Sequence, residues 1–360
     1  MGHIRPLVED DLPAVIDLHN RVFGNLKSYP PEAVRSFFSD IFFRHPWKRG
    51  SNSGFVHEEN DGLITGFLGS LRRPMRMRGK VIQMAISNNF MVDPASRSTL
   101  AGVQLLRTFF AGPQDVSVAE GNPLSRKVWE GLGGSVAYPY SMSWTFALQP
   151  SRFVVLALRE QGLPPTLAST LRPIAGLLDS ILFRLRWGPF RIADPRFLGT
   201  PLDVRTMLDR LPAFAGDCEL QPEYDRTSLE WLLNLVRRRQ GLGELRMRAV
   251  DGGSKGIVGW YLYYLKRGGK GQVLQLAADP QSREEVLDHL LDDARRNGAV
   301  ALSGQVEPRW LAALSQKRSC LFTQTRSWML VHARDPTLVQ PFHRGDAFLS
   351  RLEGEWWIAA

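Results

Sequence analysis

Residues 86–102 read ISNNFMVDPASRSTLAG, and this stretch decides the fold. An apolar run ends at Val92, a turn follows, and the apolar residues after Ser98 recur with the 3.6-residue period of a helix. The turn sequence 93–97 occurs again, with one change, at residues 279–283. The sequence therefore predicts a strand-turn-helix unit that is present twice in the chain.

Other short matches extend this similarity along the chain, which indicates a duplicated domain. From the first match to the last, the offset between paired residues falls in the order 200, 199, 193, 186 and 184. Chance matches would scatter, whereas a second copy with slightly shorter loops gives offsets that decrease steadily. The further matching segments are 4–5 with 204–205, 12–14 with 211–213, 64–67 with 257–260, and 143–144 with 327–328.

The order of predicted elements repeats in the two copies and is that of an α/β protein. The first copy has an opening strand, two helices, a strand at 54–57, a hairpin over 63–92 and a long final strand at 136–146. We expect two tandem domains joined by a helical connector. The predicted ranges are 1–148 for the N-terminal domain, 149–199 for the connector, 200–335 for the C-terminal domain and 336–360 for a tail.

The composition is that of a soluble globular protein, with 44% hydrophobic and 22% charged residues among 360. No apolar run is long enough for a spanning helix, and the N-terminus lacks the apolar core of a signal peptide. Cys218 and Cys320 lie in no metal-ligand or disulfide pattern, so we expect a cytoplasmic protein without a metal site. The net charge of +9 favours an acidic partner: a phosphate-bearing cofactor, nucleic acid or an anionic membrane surface.

A phosphate-binding function is predicted for the turn and helix that follow Val92. A helix N-terminus offers unpaired N–H groups and the positive end of the helix dipole, both of which suit a phosphate. Gly102 would let the backbone approach such a ligand closely, and the Arg97 guanidinium would neutralise its charge. The alternative is an ordinary strand-to-helix turn that is capped by a serine or an aspartate.

A second motif lies at residues 120–134, which read EGNPLSRKVWEGLGG after a short apolar strand. An asparagine opens the helix, an aromatic residue follows and glycines end it; this order resembles the closing motif of the GCN5-related N-acetyltransferase (GNAT) superfamily. Residues 97–102 resemble the pyrophosphate loop of that family, although Leu100 stands where the first glycine is usual. The resemblance covers about Ile4 to Leu148 and, more faintly, Leu202 to Ala333.

The resemblance implies two tandem GNAT-like domains, each a mixed twisted sheet flanked by helices, with two central strands splayed apart. It also implies an acyl-CoA co-substrate, no metal, and an amine that accepts the acyl group. The pantetheine arm would pair with Phe90–Val92, and the pyrophosphate would lie on Ser98–Val103. The predicted cofactor-binding residues are Phe90, Met91, Val92, Arg97, Ser98, Thr99, Leu100, Ala101, Gly102, Val103, Asn122, Ser125 and Trp129.

The catalytic residues of the family are only partly matched. Its usual acid, a tyrosine on the last helix, is replaced by Trp129, which cannot protonate a thiolate. Tyr138 or Tyr140 could substitute, or both are aromatic residues on a strand face. The usual basic carboxylate on the central strand is also missing, which leaves Glu120 as the acidic candidate, while Asn89 could hold a water or orient a carbonyl. The predicted catalytic residues are Glu120, Asn89 and Tyr140.

The second copy departs further from the family pattern. Asp288 takes the place of Gly102, so that a carboxylate would face a pyrophosphate. The last helix of this copy begins with Glu307 instead of the asparagine of the first copy. We expect a degenerate domain that supports the first or completes the acceptor site, and the alternative is the reverse assignment.

Two surfaces allow either an anionic partner or ordinary packing. Arg76, Arg78 and Lys80 alternate with methionines on a predicted hairpin, where they would meet anionic lipid or RNA, or remain solvated. Residues 164–187 predict a helix with a broad apolar stripe, which would lie on a membrane or pack between the domains. The stripe consists of Leu167, Leu171, Ile174, Leu178, Ile181, Leu182 and Leu185.

Three functions remain open from the sequence. The first, which the two motif matches favour, is an acyl-CoA-dependent N-acyltransferase; if residues 164–187 lie on a membrane, it would be peripherally membrane-associated and act on a lipid-like amine. The second is a transferase that takes an aminoacyl group from tRNA, which the basic charge favours and the retained loop at 97–102 disfavours. The third is a non-catalytic protein that binds acyl-CoA or lipid, suggested by the missing acid and base.

Overall fold

The computed structural model describes residues 2–48, 53–96, 100–184, 192–239, 241–324 and 327–358. It confirms the predicted α/β class, with two mixed sheets flanked by helices. The strands are β1 (His3–Pro6), β2 (Gly54–Glu58), β3 (Ile64–Met77), β4 (Lys80–Val92), β5 (Val116–Gly121), β6 (Ser135–Val136), β7 (Met142–Ala147), β8 (Leu198–Pro201), β9 (Leu220–Pro222), β10 (Glu244–Asp251), β11 (Ile257–Leu265), β12 (Lys270–Ala278), β13 (Ala301–Gln305), β14 (Cys320–Gln324) and β15 (Trp328–Ala333). The helices are α1 (Leu12–Val22), α2 (Pro31–Phe42), α3 (Ala101–Phe110), α4 (Pro123–Gly131), α5 (Pro150–Glu160), α6 (Pro165–Arg184), α7 (Val204–Phe214), α8 (Arg226–Arg238), α9 (Arg283–Arg296), α10 (Leu311–Ser315) and α11 (Gln340–Arg344).

The chain forms two compact units, and each is assembled from separate segments. Unit 1 comprises Met1–Ser141, Cys218–Leu235 and Arg326–Ala360. Unit 2 comprises Met142–Asp217 and Val236–Thr325. These discontinuous units differ from the contiguous ranges that the repeat predicts, and the pairing of two strands explains the difference.

The sheet of unit 1 has the strand order β1-β2-β3-β4-β5-β15-β6, and β9 pairs with β3. Neighbouring strands are antiparallel, except that β4 and β5 run parallel. Strand β15 comes from the end of the second repeat, and its Leu330 lies opposite Ala119 of β5. Leu330 is buried in the same apolar cluster as Leu105 and Phe109 of α3. The last strand of the second repeat therefore completes the sheet and the core of unit 1.

Unit 2 shows the reciprocal exchange. Its sheet has the order β14-β7-β13-β12-β11-β10-β8, in which β7 is the last strand of the first repeat. Strand β7 pairs antiparallel with both β13 and β14. Trp144 and Phe146 of β7 are buried in the apolar core of unit 2. Burial of large apolar side chains stabilises the fold by about 2–3 kcal/mol each, which fixes both the register of β7 and the sheet to which it belongs.

The basic hairpin of β3 and β4 is ion-paired within its own unit. It turns at Arg78, where φ is +50°. The Arg76 guanidinium pairs with Glu223 at 2.7 Å, and the Arg78 guanidinium pairs with Glu219. Both acids belong to the 218–235 segment of unit 1. Two of the three basic side chains predicted to meet lipid or RNA or to remain solvated, Arg76 and Arg78, therefore have a counter-charge within the protein itself.

Helices α5 and α6 occupy the predicted connector region and pack against each other. The Asp179 carboxylate of α6 accepts the N–H groups of Ser151 and Arg152, and so caps the start of α5. Leu185 of the predicted stripe lies outside the described residues. Its other members are exposed: Leu167, Leu171, Ile174, Leu178, Ile181 and Leu182. Among the helices described, none is both long enough and apolar enough to span a membrane.

Candidate functional site

The two central strands of unit 1 separate towards their carboxyl ends. Strand β4 pairs with β5 at Met84, Ala85 and Ile86, and in the described register the pairing stops there. On its other edge β4 has a bulge, at which Asn89 adopts a φ of +49°. Beyond this point, the N–H groups of Asn89 in β4 and Glu120 in β5 bind a partner outside the two strands.

That partner is a carboxyl group from the last segment of unit 1. The Glu355 Oε1 atom accepts the N–H of Asn89 at 3.3 Å, and its Oε2 atom accepts the N–H of Glu120 at 2.7 Å. Glu355 therefore bridges β4 and β5 where the strands no longer pair. Residues 347–354 leading to it are buried, so the predicted tail is part of the fold.

Burial makes this pair of carboxyl groups hard to ionise. It raises the pKa of Glu355 to about 8, although the two N–H groups favour the charged form. Burial also raises the pKa of Glu120, while the positive charge of Arg351 acts in the opposite direction. Two buried carboxyl groups that repel each other cannot both be charged at low cost. We therefore expect the pair to hold at least one proton at neutral pH.

A cavity of about 240 Å³ opens beside these carboxyl groups within unit 1. It is smaller than the pockets of about 300–1,000 Å³ that enclose whole drug-sized ligands, so it suits the reacting end of a ligand. Glu355 lines it together with six residues that were predicted from the sequence. These six are Asn89, Phe90, Glu120, Asn122, Ser125 and Trp129.

Helix α4 positions three of the predicted residues. Asn122 is its N-cap, and the side-chain oxygen accepts the N–H groups of Leu124 at 3.0 Å and Ser125 at 2.9 Å. Trp129 is buried, and its indole N–H donates to the carbonyl oxygen of Val331 in β15 at 3.0 Å. The indole N–H thus already has an acceptor, and Trp129 contributes an apolar wall to the cavity.

The predicted pyrophosphate loop is described only in part. Three of its residues lie outside the described ranges: Arg97, Ser98 and Thr99. Six other predicted cofactor residues do not line the cavity: Met91, Val92, Leu100, Ala101, Gly102 and Val103. Gly102 nevertheless lies against the strand predicted to bind the pantetheine arm. A Cβ atom added to it would lie 3.4 Å from the side chains of Phe90 and Val92.

Tyr140 has a structural position that differs from its predicted role as a proton donor. Its ring is buried and does not line the cavity. The hydroxyl group donates to the carbonyl oxygen of Ala347 at 2.7 Å and accepts the N–H of the same residue at 2.8 Å. Because both bonds hold the backbone of the last segment, the hydroxyl is not available to a thiolate. The alternative residue, Tyr138, is exposed and accepts a hydrogen bond from Arg126.

His19 and Glu355 are cavity residues that the sequence did not reveal. His19 lies on α1, and burial lowers its pKa to about 4, so its imidazole is neutral at pH 7. A single histidine on an amphipathic helix gives no signal that distinguishes a site residue from a core residue. Glu355 lies 235 positions after Glu120, and no local motif connects them.

Two acidic residues of the second repeat that align with site residues of the first lie in ion pairs. The Asp288 carboxylate pairs with Lys317 at 2.7 Å, and the Glu307 carboxylate pairs with Arg309 at 2.8 Å. These are the residues that align with Gly102 and with the N-cap of α4 in the first repeat. Within the described ranges, no group of His, Cys, Asp and Glu side chains is arranged to hold a metal ion.

Solved structures match the chain at low sequence identity. A conserved protein from Enterococcus faecalis matches with a TM-score of 0.60 at 10% identity, over 95% of this chain and 74% of its own. A GCN5-related N-acetyltransferase from Anabaena variabilis matches with a TM-score of 0.59 at 11% identity, over 92% and 72%. Saccharomyces cerevisiae N-myristoyltransferase with bound myristoyl-CoA gives 0.53 at 13% identity, over 92% and 82%.

No protein-family model matches the sequence, and no curated protein matches it either. At identities this low, a structural likeness reports on the path of the backbone and on nothing finer. It extends over nearly the whole chain, and it agrees with the two sequence motifs and with the separated strands β4 and β5. The chain therefore has the fold of the GCN5-related N-acetyltransferase superfamily.

Proposed function

We propose that this protein is an N-acyltransferase that moves an acyl group from acyl-CoA to an amine. The observation that carries the proposal is the gap between β4 and β5, where two backbone N–H groups and two carboxyl groups meet at one cavity. The names of two similar structures, an N-acetyltransferase and an N-myristoyltransferase, support the same reaction class.

The reaction forms a C–N bond and breaks the C–S bond of the thioester. The amine attacks the carbonyl carbon, the carbonyl oxygen becomes negative, and the thiolate leaves as the carbonyl re-forms. A thioester carbonyl that replaced the Glu355 carboxylate would accept the N–H groups of Asn89 and Glu120. Backbone donors that are already aimed at such an oxygen stabilise its charge without further reorganisation.

The Glu120–Glu355 pair accounts for the two proton transfers. The attacking amine must lose one proton, and the departing thiolate must gain one. An ionised carboxylate accepts the proton of the amine, and the protonated member of the pair returns one to the thiolate. The pKa of about 8 belongs to Glu355 while it accepts both N–H groups. Once the thioester carbonyl takes these donors, the protonated form of Glu355 is favoured further, so Glu355 is the member that donates to the thiolate and Glu120 is the member that accepts from the amine. In this assignment Glu355 replaces Tyr140, while Glu120 and Asn89 keep their predicted places.

We place the pantetheine arm along Phe90–Val92 and the pyrophosphate at Ser98–Val103, as the family resemblance implies. Calorimetric titration with acetyl-CoA and with palmitoyl-CoA tests this placement. Gly102→Asp copies Asp288 of the second repeat and should abolish binding, because its carboxylate repels the pyrophosphate. Gly131→Asp is the matched control, since it adds the same charge where a Cβ atom would meet no atom within 4 Å.

The acyl-CoA proposal fails if the wild-type protein binds neither thioester at high micromolar concentration, or if both glycine variants lose binding equally. Binding of tRNA in place of acyl-CoA would then favour the aminoacyl transferase. Binding of acyl-CoA without release of free thiol in the presence of a panel of amines would favour the non-catalytic alternative.

We further propose that the acceptor is a lipid-like or membrane-associated amine and that the protein binds membranes peripherally. Support comes from unit 2, where α5 and α6 carry nine of the twenty large hydrophobic side chains exposed in the described chain. A contiguous apolar surface of this kind suits the headgroup boundary of a bilayer. Ile174→Lys/Leu177→Lys should abolish flotation with phosphatidylcholine–phosphatidylglycerol vesicles, and Leu311→Lys should not. Unchanged flotation of the double variant contradicts this part of the proposal.

A further inference from the structure

Unit 2 contains a second cavity, of about 580 Å³, lined by α5, α6 and the loop that joins β11 to β12. Its volume is in the range of about 300–1,000 Å³ that is usual for small-molecule sites. The rest of the lining is apolar or glycine, and includes Val155, Leu156 and Val300. No described lining residue carries a carboxylate, whereas five are cationic: Arg152, Arg159, Arg172, Lys266 and Arg267.

Four of these five side chains form no ion pair with any residue that the structure describes. The exception is Arg267, whose guanidinium lies 3.9 Å from a carboxylate oxygen of the exposed Glu244. The Arg152 guanidinium donates to the amide oxygen of Gln149 at 2.7 Å, a neutral acceptor. It also lies against Gly176, where any side chain would collide with it. Arg152 is therefore held at the cavity wall without losing its charge to a carboxylate.

Arg246 of the same unit provides a contrast with the arginines of the cavity. Its guanidinium makes two hydrogen bonds to Asp293, at 2.8 and 3.0 Å. All five cationic residues are exposed, so solvent weakens the repulsion between them, but no carboxylate of the cavity lining neutralises their charges. A site that binds an anion removes this repulsion, and arginine presents paired N–H donors that match phosphate oxygens.

We propose that this cavity binds a soluble small molecule that carries two or more phosphate groups and an apolar part. The five cationic side chains would bind the phosphates, and the apolar wall near Val155 and Val300 would contact the rest of the ligand. The concave shape and volume fit a molecule of the size of a nucleoside diphosphate. The inference does not depend on the transferase proposal, because every lining residue belongs to unit 2.

Calorimetry with inorganic pyrophosphate and with GDP, at low ionic strength, tests the proposal. The titrations use full-length protein carrying Gly102→Asp, so that binding to the predicted pyrophosphate loop of unit 1 is not counted. We expect one site, with GDP bound more tightly than pyrophosphate because only GDP reaches the apolar wall. Added Arg159→Gln/Arg172→Gln should weaken both ligands by about tenfold or more, since charge-assisted bonds to phosphate are lost.

Arg205→Gln/Lys255→Gln is the matched control, because it removes two charges from exposed positions of unit 2 outside the cavity. Its affinities should equal those of the parent. Equal affinities in the two double variants, or no binding of pyrophosphate, would overturn the proposal. If GDP binds no more tightly than pyrophosphate, the apolar wall contributes nothing to binding, and the proposed apolar part of the ligand is overturned. Arginine-dependent binding to phosphatidylglycerol vesicles, without binding of either soluble ligand, would assign the site to a lipid headgroup and also overturn it.

Discussion

Glu355→Gln removes a charge from the gap between β4 and β5 while it keeps the shape of the side chain. Burial raises the pKa of Glu355 to about 8 in the folded protein, against 4.5 for an unperturbed glutamate. Between these two values the folded state binds more protons than the unfolded state, so the free energy of unfolding falls as the pH rises. The slope is at most about 1.4 kcal/mol per pH unit, and it is smaller close to each of the two pKa values, so the loss between about pH 5 and pH 8 is about 3 kcal/mol.

Urea unfolding of the wild-type and Glu355→Gln proteins across this pH range measures the effect. Glutamine resembles protonated glutamate, since each offers one good acceptor to the N–H groups of Asn89 and Glu120. The two proteins should therefore have similar stability near pH 5, and by pH 8 the variant should be more stable by up to about 3 kcal/mol. Glu32→Gln, at an exposed position of α2, is the control and should leave the pH slope unchanged.

An equal pH slope in the wild-type protein and in Glu355→Gln would refute the reasoning, because the slope is attributed to this carboxyl group. The same variant separates stability from catalysis. If Glu355 transfers protons, turnover should fall by about 10²–10⁴-fold even at the pH where the variant is the more stable protein. A residue that only supported the fold would not raise stability and lower turnover together.

Three other substitutions test the assigned contacts. Tyr140→Phe should lower the free energy of unfolding by about 1–3 kcal/mol, because the Ala347 backbone loses its hydrogen-bond partner. Turnover should be unchanged; lost turnover at unchanged stability would instead make Tyr140 the proton donor. Trp144→Ala should destabilise unit 2 by about 3–5 kcal/mol. In hydrogen exchange, the amide protons of β13 and β14 should lose protection before those of β5, and the opposite order would contradict the strand exchange. Arg76→Gln/Arg78→Gln should leave vesicle flotation unchanged, since both side chains are ion-paired, and lost flotation would make the hairpin the membrane surface.

Local sequence patterns were sufficient for most of the elements. Alternating side chains predict the hairpin over 63–92, and the structure forms β3 and β4 there, with the turn at Arg78. The helix after Pro123 was predicted from the asparagine that precedes it, and that asparagine is its N-cap. In each case the physical cause acts over a few residues, so that a short stretch of sequence contains all the information.

The strand exchange could not be predicted, for a reason that the repeat itself supplies. Strands β7 and β15 occupy equivalent positions of the two repeats, and the serine–tryptophan pairs at 143–144 and 327–328 lie at or next to their starts. Their side chains alternate in the same way, so either strand satisfies the local requirements of either sheet. The choice between the sheets depends on shape complementarity in two cores, and no local pattern encodes it.

The exchange also explains why the sequence of the first repeat does not reveal all the residues of the candidate site. Strand β15 pairs with β5 from Gly121 to Val116, and the segment after it leads the chain back to the gap between β4 and β5. The residues of the first repeat therefore supply the N–H groups, while a segment beyond the second repeat supplies Glu355. Closing a loop of more than 200 positions costs chain entropy, and no local pattern in the sequence indicates which distant segment offsets that cost. A motif search within one repeat finds Asn89, Glu120 and Asn122, and it must miss the carboxyl group that completes them.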